Sequence, residues 1–458
     1  MSGINLIIFI GLLFLMPDTG RSQRNDLLTL EESIAIALHR NYSVKIAEYD
    51  LQQRDAQVLG SYSSILPSIS FSTGSARFMQ GVTSNTGNVQ VFDSEGNATF
   101  ISTTFTTPYI QRDNHSLGLN LNQNIYDGGR WWNNISRAKA NQTAGFHALD
   151  ASKNDAVFLT TQNYLQLAKA TALQYALFDA VMLSQEQLER TESLYELGSV
   201  ARTDFYKAKV QLGNDRSLLL TQRNVVAAAK SNLNIVMGRD PWTPIRIEER
   251  EYEKVEYSSR EEALQIAKSN SPQLKQLMAS IEGAELGKKV AKAAFLPSIS
   301  AGVRYSRDNE DLSKVYSSGN ISQNWSSILN VSINLNLFNG FSDKANLEQS
   351  QAIYRSAREN YENGSRNLKA RIDDAITKLE TYEELELIFR DNKQSAEEDL
   401  RLATERYELG SATLLEVQNA QVALLRANTS VIRNKYDSQI AYAQLLNSMG
   451  TVRSRRIK

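Results

Sequence analysis

The groups best able to do chemistry in this chain are its acids. Asp373-Asp374 and Glu397-Glu398-Asp399 set carboxylates side by side, and paired carboxylates are what a glycosidase uses as acid and nucleophile or base. Both groups stand in highly charged stretches of helical pattern, where a solvated face is the default. Partners for other chemistries are scarce. The histidines are His39, His115 and His147, each far from the next, so a His-based metal site or dyad is not expected. Cysteine is absent, which removes thiolate nucleophiles, Cys-ligated metals, disulfides and a lipid-anchored N-terminal Cys. Lys and Arg number 50 against 51 Asp and Glu, a formal charge of -1; nucleic acid, which needs a basic face, is not an expected partner. With no Gly-rich phosphate loop either, the expectation is no enzyme and no cofactor.

What the residues do show is repetition. Tyr195-Glu196-Leu197-Gly198-Ser199 recurs as Tyr407-Glu408-Leu409-Gly410-Ser411, an offset of 212 (407 − 195). The same offset carries Asn124-Ile125-Tyr126-Asp127-Gly128 onto Asn336-Leu337-Phe338-Asn339-Gly340, and Met237-Gly238 onto Met449-Gly450. Leu66-Pro67-Ser68-Ile69-Ser70 recurs as Leu296-Pro297-Ser298-Ile299-Ser300 at offset 230 (296 − 66), so the first half carries a longer insertion. The chain is a tandem duplication, with repeats at 23–238 and 259–458 and a linker at 239–258.

Each repeat reads as helix, strand, loop, strand, very long helix, tight turn, helix. In the first, the expectations are strand 66–79, outer loop 80–115, strand 116–126, long helix 130–197, tip 195–204 and helix 202–237. In the second they are strand 296–307, outer loop 308–326, strand 327–338, long helix 341–409, tip 407–416 and helix 413–449. Pro67 and Pro297 end the leading helices, because proline lacks an N–H and pushes the residue before it out of helical geometry. The strands alternate: Leu329, Val331, Ile333, Leu335 and Leu337 interleave with Asn330, Ser332, Asn334 and Asn336. Apolar residues on one face and Asn or Ser on the other suit a barrel wall between lipid and a wet lumen. Residues 78–111 hold no Lys or Arg and are rich in Thr, Ser, Asn and Gly, as an outer surface loop would be.

Four strands cannot close a barrel, and an open edge in lipid leaves unpaired backbone groups costing several kcal/mol each. Several copies must therefore share one barrel, and three would supply twelve strands. The proline-free stretches 130–197 and 341–409 would each extend about 100 Å as helix. In the last helix Leu415, Val422, Thr429, Tyr436 and Ala443, with Leu425, Ile432, Gln439 and Leu446, form a heptad seam. At the start, Ile4–Met16 is an apolar run of signal-peptide length, broken by Pro17, so residues 1–22 are read as an export signal. A trimeric coiled-coil adhesin or spacer would also explain the heptads and export, but not the alternating strands or the duplication.

Together the two repeats, the Leu-Pro-Ser lead-in to the strand, the Tyr/Phe-Asp/Asn-Gly exit and the paired Tyr-x-x-Gly turns resemble the TolC family of outer-membrane efflux and secretion channels. The resemblance covers nearly the whole mature chain. It implies a mainly α fold with a β-barrel part: a homotrimer whose twelve-stranded barrel sits in outer-membrane lipid and continues into a coiled-coil helical tunnel in the periplasm. The linker 239–258 would join an equatorial belt. The tips, Tyr195, Gly198 and Ser199 with Tyr407, Gly410 and Ser411, would dock a periplasmic adaptor protein coupled to an inner-membrane transporter of RND or ABC type. Similar channels narrow at acidic residues in the second tip. The first matches Glu416; the second matches Asn419, a departure that lowers the expected charge. Three copies of Glu416 would form a cation-attracting ring, or Glu416 is a solvated first-turn acid favoured by the helix dipole. Asp204 is the corresponding acid of the first tip, where the cap reading is favoured. Gly198 and Gly410 permit positive φ at the turns. Gly128, Gly129 and Gly340, with Pro67 and Pro297, would form the strand-to-helix swivel.

Overall fold

The structure is a computed structural model that describes residues 27–248, 257–317 and 322–453. The expected export signal and part of the expected linker lie outside these residues. In chain order the elements are β1 (Leu27–Leu28), α1 (Leu30–Arg40), α2 (Tyr42–Ser61), β2 (Ser68–Gln80), β3 (Thr83–Phe92), β4 (Ala98–Thr107) and β5 (Ile110–Tyr126). Then come α3 (Arg130–Glu196), α4 (Arg202–Val236), β6 (Arg246–Ile247), α5 (Arg260–Asn270), α6 (Pro272–Lys292), β7 (Ser298–Asn309), α7 (Leu312–Tyr316), β8 (Trp325–Asn334), α8 (Ser342–Glu408) and α9 (Leu414–Met449).

The chain divides into two compact units, and they are not the two repeats. One unit takes the residues up to Ile46, Ala151–Ser271 and Leu368–Lys458; the other takes Ala47–Asp150 and Pro272–Asn367. Each unit therefore draws on both copies of the duplicated plan.

The second unit holds a four-stranded antiparallel sheet in the order β2-β5-β7-β8. Directly opposed residues share a face. Along one face run Ile69, Leu121, Val303 and Leu329, then Phe71, Leu119 and Tyr305. Most of these are exposed, Leu329 at 73%. The other face carries Ser70 and Ser72, Asn120 and Asn122, Arg304, Ser306 and Ser326. Here Arg304 Nε donates to Asn120 Oδ1 at 2.7 Å, and the hydroxyls of Ser300 and Ser332 lie 2.8 Å apart. A mostly polar face joined by its own cross-strand bonds opposes an apolar face that is exposed over most of its length and is covered only at its far end, where α7 lies against it through Tyr316 on Thr73 and the Lys314 carbonyl on Arg307.

The outer segments differ from the sequence-based expectation. The span 80–115, expected to be loop, contains the two ten-residue strands β3 and β4, paired only with each other, and β5 begins at Ile110 rather than 116. Val89, Val91, Phe100 and Ile101 supply β-favouring side chains, and Asp93 builds the turn by accepting from the N–H groups of Glu95 and Asn97. The span 308–326 contains the short helix α7, capped by Asp311, which accepts from the Ser313 N–H at 2.9 Å. β8 ends at Asn334, short of the expected 338.

In the first unit, helices pack around buried Leu30, Ala37, Tyr164, Leu167, Val226, Leu233 and Met237. The short strands β1 and β6 pair in parallel beside this core, and the Tyr164 hydroxyl donates toward the carbonyls of Leu28 and Glu248 at 3.1 and 3.0 Å. α9 buries Tyr436, Gln439, Ala443 and Leu446 of the expected seam, but Leu415 is 56% exposed while Leu414 and Val417 are buried. Packing selected the neighbouring stripe at that end, which a heptad count alone does not distinguish. No helix among the described residues is long and apolar enough to cross a membrane.

Candidate functional site

The two tips lie in the first unit and share one backbone device. α3 closes with the Ser199 N–H donating to Leu194 O at 2.8 Å and the Gly198 N–H to Tyr195 O at 2.9 Å; α8 closes with Ser411 to Arg406 O at 2.8 Å and Gly410 to Tyr407 O at 3.0 Å. This is the Schellman pattern, which needs a left-handed residue just past the helix. Gly198 and Gly410 supply it at φ +73° and +72°.

The returning helices start differently. α9 opens with a capping box: Thr413 Oγ1 accepts from the Glu416 N–H at 3.4 Å, and Glu416 Oε1 accepts from the Thr413 N–H at 3.1 Å. The other oxygen of Glu416 faces Arg406 at 3.5 Å. These contacts hold the Glu416 carboxyl below the usual glutamate range, the Thr413 N–H first, then its hydroxyl, then the Arg406 charge. The geometry is that of the first-turn acid, and the carboxylate is half-exposed. Thr413-Leu414-Leu415-Glu416 is itself the S/T-x-x-E signature of such a box, a signal available in the sequence. α4 opens at Ala201 with no side-chain cap. Asp204 occupies its first turn and bonds Lys207 at 3.2 Å, so it does not serve as the cap residue. Asn419 is exposed, and no polar contact among the described residues joins Asp204 to Glu416 or Asn419.

Aromatic side chains pack around this uncapped start. Tyr195 stacks on Phe205 with centroids 6.1 Å apart, and the Arg202 guanidinium lies 5.6 Å from the Tyr206 ring centroid while donating to the Tyr206 hydroxyl at 3.2 Å. Beneath the turns, Ala208, Ala403, Tyr407, Leu414, Val417 and Ala420 form one apolar cluster with Leu188 and Leu194 at its margin. Arg190 bonds Glu408 and also faces Glu186 at 3.4 Å. Residues of both repeats are thus clasped together by core and ion pair. Sequence reasoning missed Arg190, whose counterpart at the repeat offset is Leu402.

The expected swivel residues lie in the second unit. Gly128 has φ +70°, and a Cβ there would meet Ala293 O and Leu296 Cβ at 2.8 Å. The α3 start is held by Asp127, whose carboxylate accepts from the Trp131 N–H at 2.9 Å; Asn339 does the same for Asp343 at 3.3 Å, one repeat later. Gly129 and Gly340 also have positive φ. Before the strands, Leu66 N–H donates to Tyr62 O and Leu296 N–H to Ala293 O, both at 3.1 Å, one residue ahead of Pro67 and Pro297. Among the described residues no group of three or more His, Cys, Asp or Glu is arranged to hold a metal ion.

Comparison with known proteins returns the same plan. The family described as outer membrane efflux protein matches residues 34–239 and 263–451. The outer membrane efflux protein BepC of Brucella suis is 23% identical over 344 residues, 74% of this chain and 73% of its own. The outer membrane protein TolC of Vibrio cholerae is 22% identical over 350 residues, 74% of this chain and 77% of its own. Among solved structures, that of CusC, a study of transmembrane channel formation, superposes with a TM-score of 0.78 at 19% identity, covering 92% of each chain.

Proposed function

Because this chain belongs to the outer membrane efflux protein family, and so resides in the outer membrane and extends into the periplasm, we propose that three copies form the exit duct of a tripartite efflux or type I secretion system. The observation that carries the reading is the four-stranded sheet: one face apolar and largely exposed, the other mostly polar and bonded to itself, with β2 and β8 as free edges. Free edges in lipid are costly, and pairing β8 of one copy with β2 of the next removes them. Three copies give a twelve-stranded barrel, and the 67-residue helices α3 and α8, each about 100 Å long, continue it as a conduit. Cargo would pass passively, delivered by a periplasmic adaptor and an inner-membrane transporter of RND or ABC type.

The tips are the proposed docking and closing elements. Tyr195, Gly198 and Ser199, with Tyr407, Gly410 and Ser411, would present the adaptor surface. Glu416 and Asn419 of the second tip and Asp204 of the first would line the aperture, and Arg406 would offset part of the Glu416 ring's charge. Pro67, Gly128, Gly129, Pro297 and Gly340 would carry the change of direction from barrel to tunnel. Single-channel conductance in a planar bilayer tests the reading, comparing wild type with Glu416→Ala across salt concentrations. The expected result is a small cation-selective conductance that rises and loses selectivity in the variant. An unchanged conductance moves the aperture away from Glu416. An inserted, folded protein that never conducts, even after Arg190→Ala loosens the tips, would sink the channel.

A further inference from the structure

The outer hairpin of β3 and β4 has no part in that conduit. Its base is a mainly polar stalk, with the hydroxyls of Ser84 and Thr106 at 3.3 Å and of Thr86 and Thr104 at 3.4 Å, and Phe105 the one exposed aromatic among them. Its far half is an apolar head. Val89 stands opposite Ile101, Gln90 opposite Phe100 and Phe92 opposite Ala98, which puts large apolar side chains on both faces. Val89, Val91, Phe92, Phe100 and Ile101 are all exposed, Phe100 at 69%. A two-stranded ribbon is marginal alone, and a clustered apolar exposure marks a contact surface. The usual protection of free strand edges is missing: residues 78–111 contain no Lys or Arg, and Pro108 stands only at the base.

We propose that the apolar heads of neighbouring copies pack against one another above the shared barrel, the occupant of each head being the same hairpin of another copy. The proposal rests on the trimer described above. Charge favours a copy: the head itself is uncharged, and the acids Asp93 and Glu95 are confined to the turn beyond it. Reach allows it. Equivalent hairpins would stand four strand spacings apart, about 19 Å, while a ten-residue strand spans about 33 Å. The attachment permits leaning, because only Gly81-Val82 and Pro108-Tyr109 join the hairpin to β2 and β5. Pro108 has no N–H for a ladder, and nothing lies within 4 Å of a Cβ built on Gly81. Tethering to one barrel also holds the three heads at high effective concentration.

A chain without cysteine allows clean single-site trapping. Ile101→Cys in the head and Thr106→Cys on the stalk are each expressed as the full chain in the outer membrane of intact cells and exposed to an impermeant oxidant. Covalent dimers are expected at Ile101→Cys at least tenfold faster than at Thr106→Cys. Light scattering on each purified variant reports whether the trimer has formed. A trimer in which Ile101→Cys crosslinks no faster than Thr106→Cys overturns the head contact and leaves the duct standing. A monomer overturns both.

Discussion

The two tips make the same turn and secure it by different means. Both helices close on a glycine in the left-handed region with matching backbone bonds, yet the second tip then caps its returning helix with Thr413 and Glu416, while the first, starting at Ala201, relies on the Tyr195–Phe205 stack. Backbone geometry has little freedom, since closing a hairpin this tightly requires a left-handed residue, which only Gly adopts without cost. The cap can be replaced by other packing, so it could diverge after duplication. Arg190 of the first repeat is in turn tied to the second tip through Glu408.

The sharpest test of the shared turn is also the one with the largest expected effect. Gly198→Val and Gly410→Val should each cost about 1–2 kcal/mol, the penalty of forcing a side chain into the left-handed region, as read by thermal unfolding. Clearly unequal losses would mean that the two turns are not one device. Next in size, Thr413→Ala should destabilise the second tip by about 1 kcal/mol, the usual worth of a Thr cap, whereas Ala201→Thr should protect the first amides of α4 against hydrogen exchange. If Ala201→Thr has no effect, the difference between the two tips does not lie in the cap.

The smallest effect is one of pH. The folded-state pKa of Glu416 is depressed, so its contribution is fully present above the ordinary glutamate value of 4.5 and is lost as pH falls through the lowered value. Protection factors at the α9 start, with the intrinsic pH dependence of amide exchange divided out, should therefore fall below pH 4.5 in wild type, and this fall should be absent in Glu416→Gln. An identical acid response in the two proteins would show that Glu416 is not the titrating group.

The outer segments offer a second contrast, and it marks where sequence reading stops. In 308–326 and 80–115 the Ser, Thr, Asn and Gly content looks alike. Yet the first folds a one-turn helix whose Val315 is fully buried, and the second builds an exposed hairpin. Composition reports solubility in such segments, while β pairing depends on register between residues far apart. The capping box at Thr413 was legible as a motif; the Arg190–Glu408 bond was not, because its partners are joined only through the folded hairpins.

Local punctuation was enough to determine the duplication, the alternating strands, the long proline-free helices and the glycine turns. Each follows from short-range sterics or periodicity that neighbouring residues settle among themselves. Only the tertiary structure decided that each compact unit draws on both repeats, that Leu414 rather than Leu415 faces the core, and that Glu416 spends its carboxylate on Thr413 and Arg406. Those outcomes depend on which surfaces meet across hundreds of residues, and neither a pattern nor a propensity carries that information.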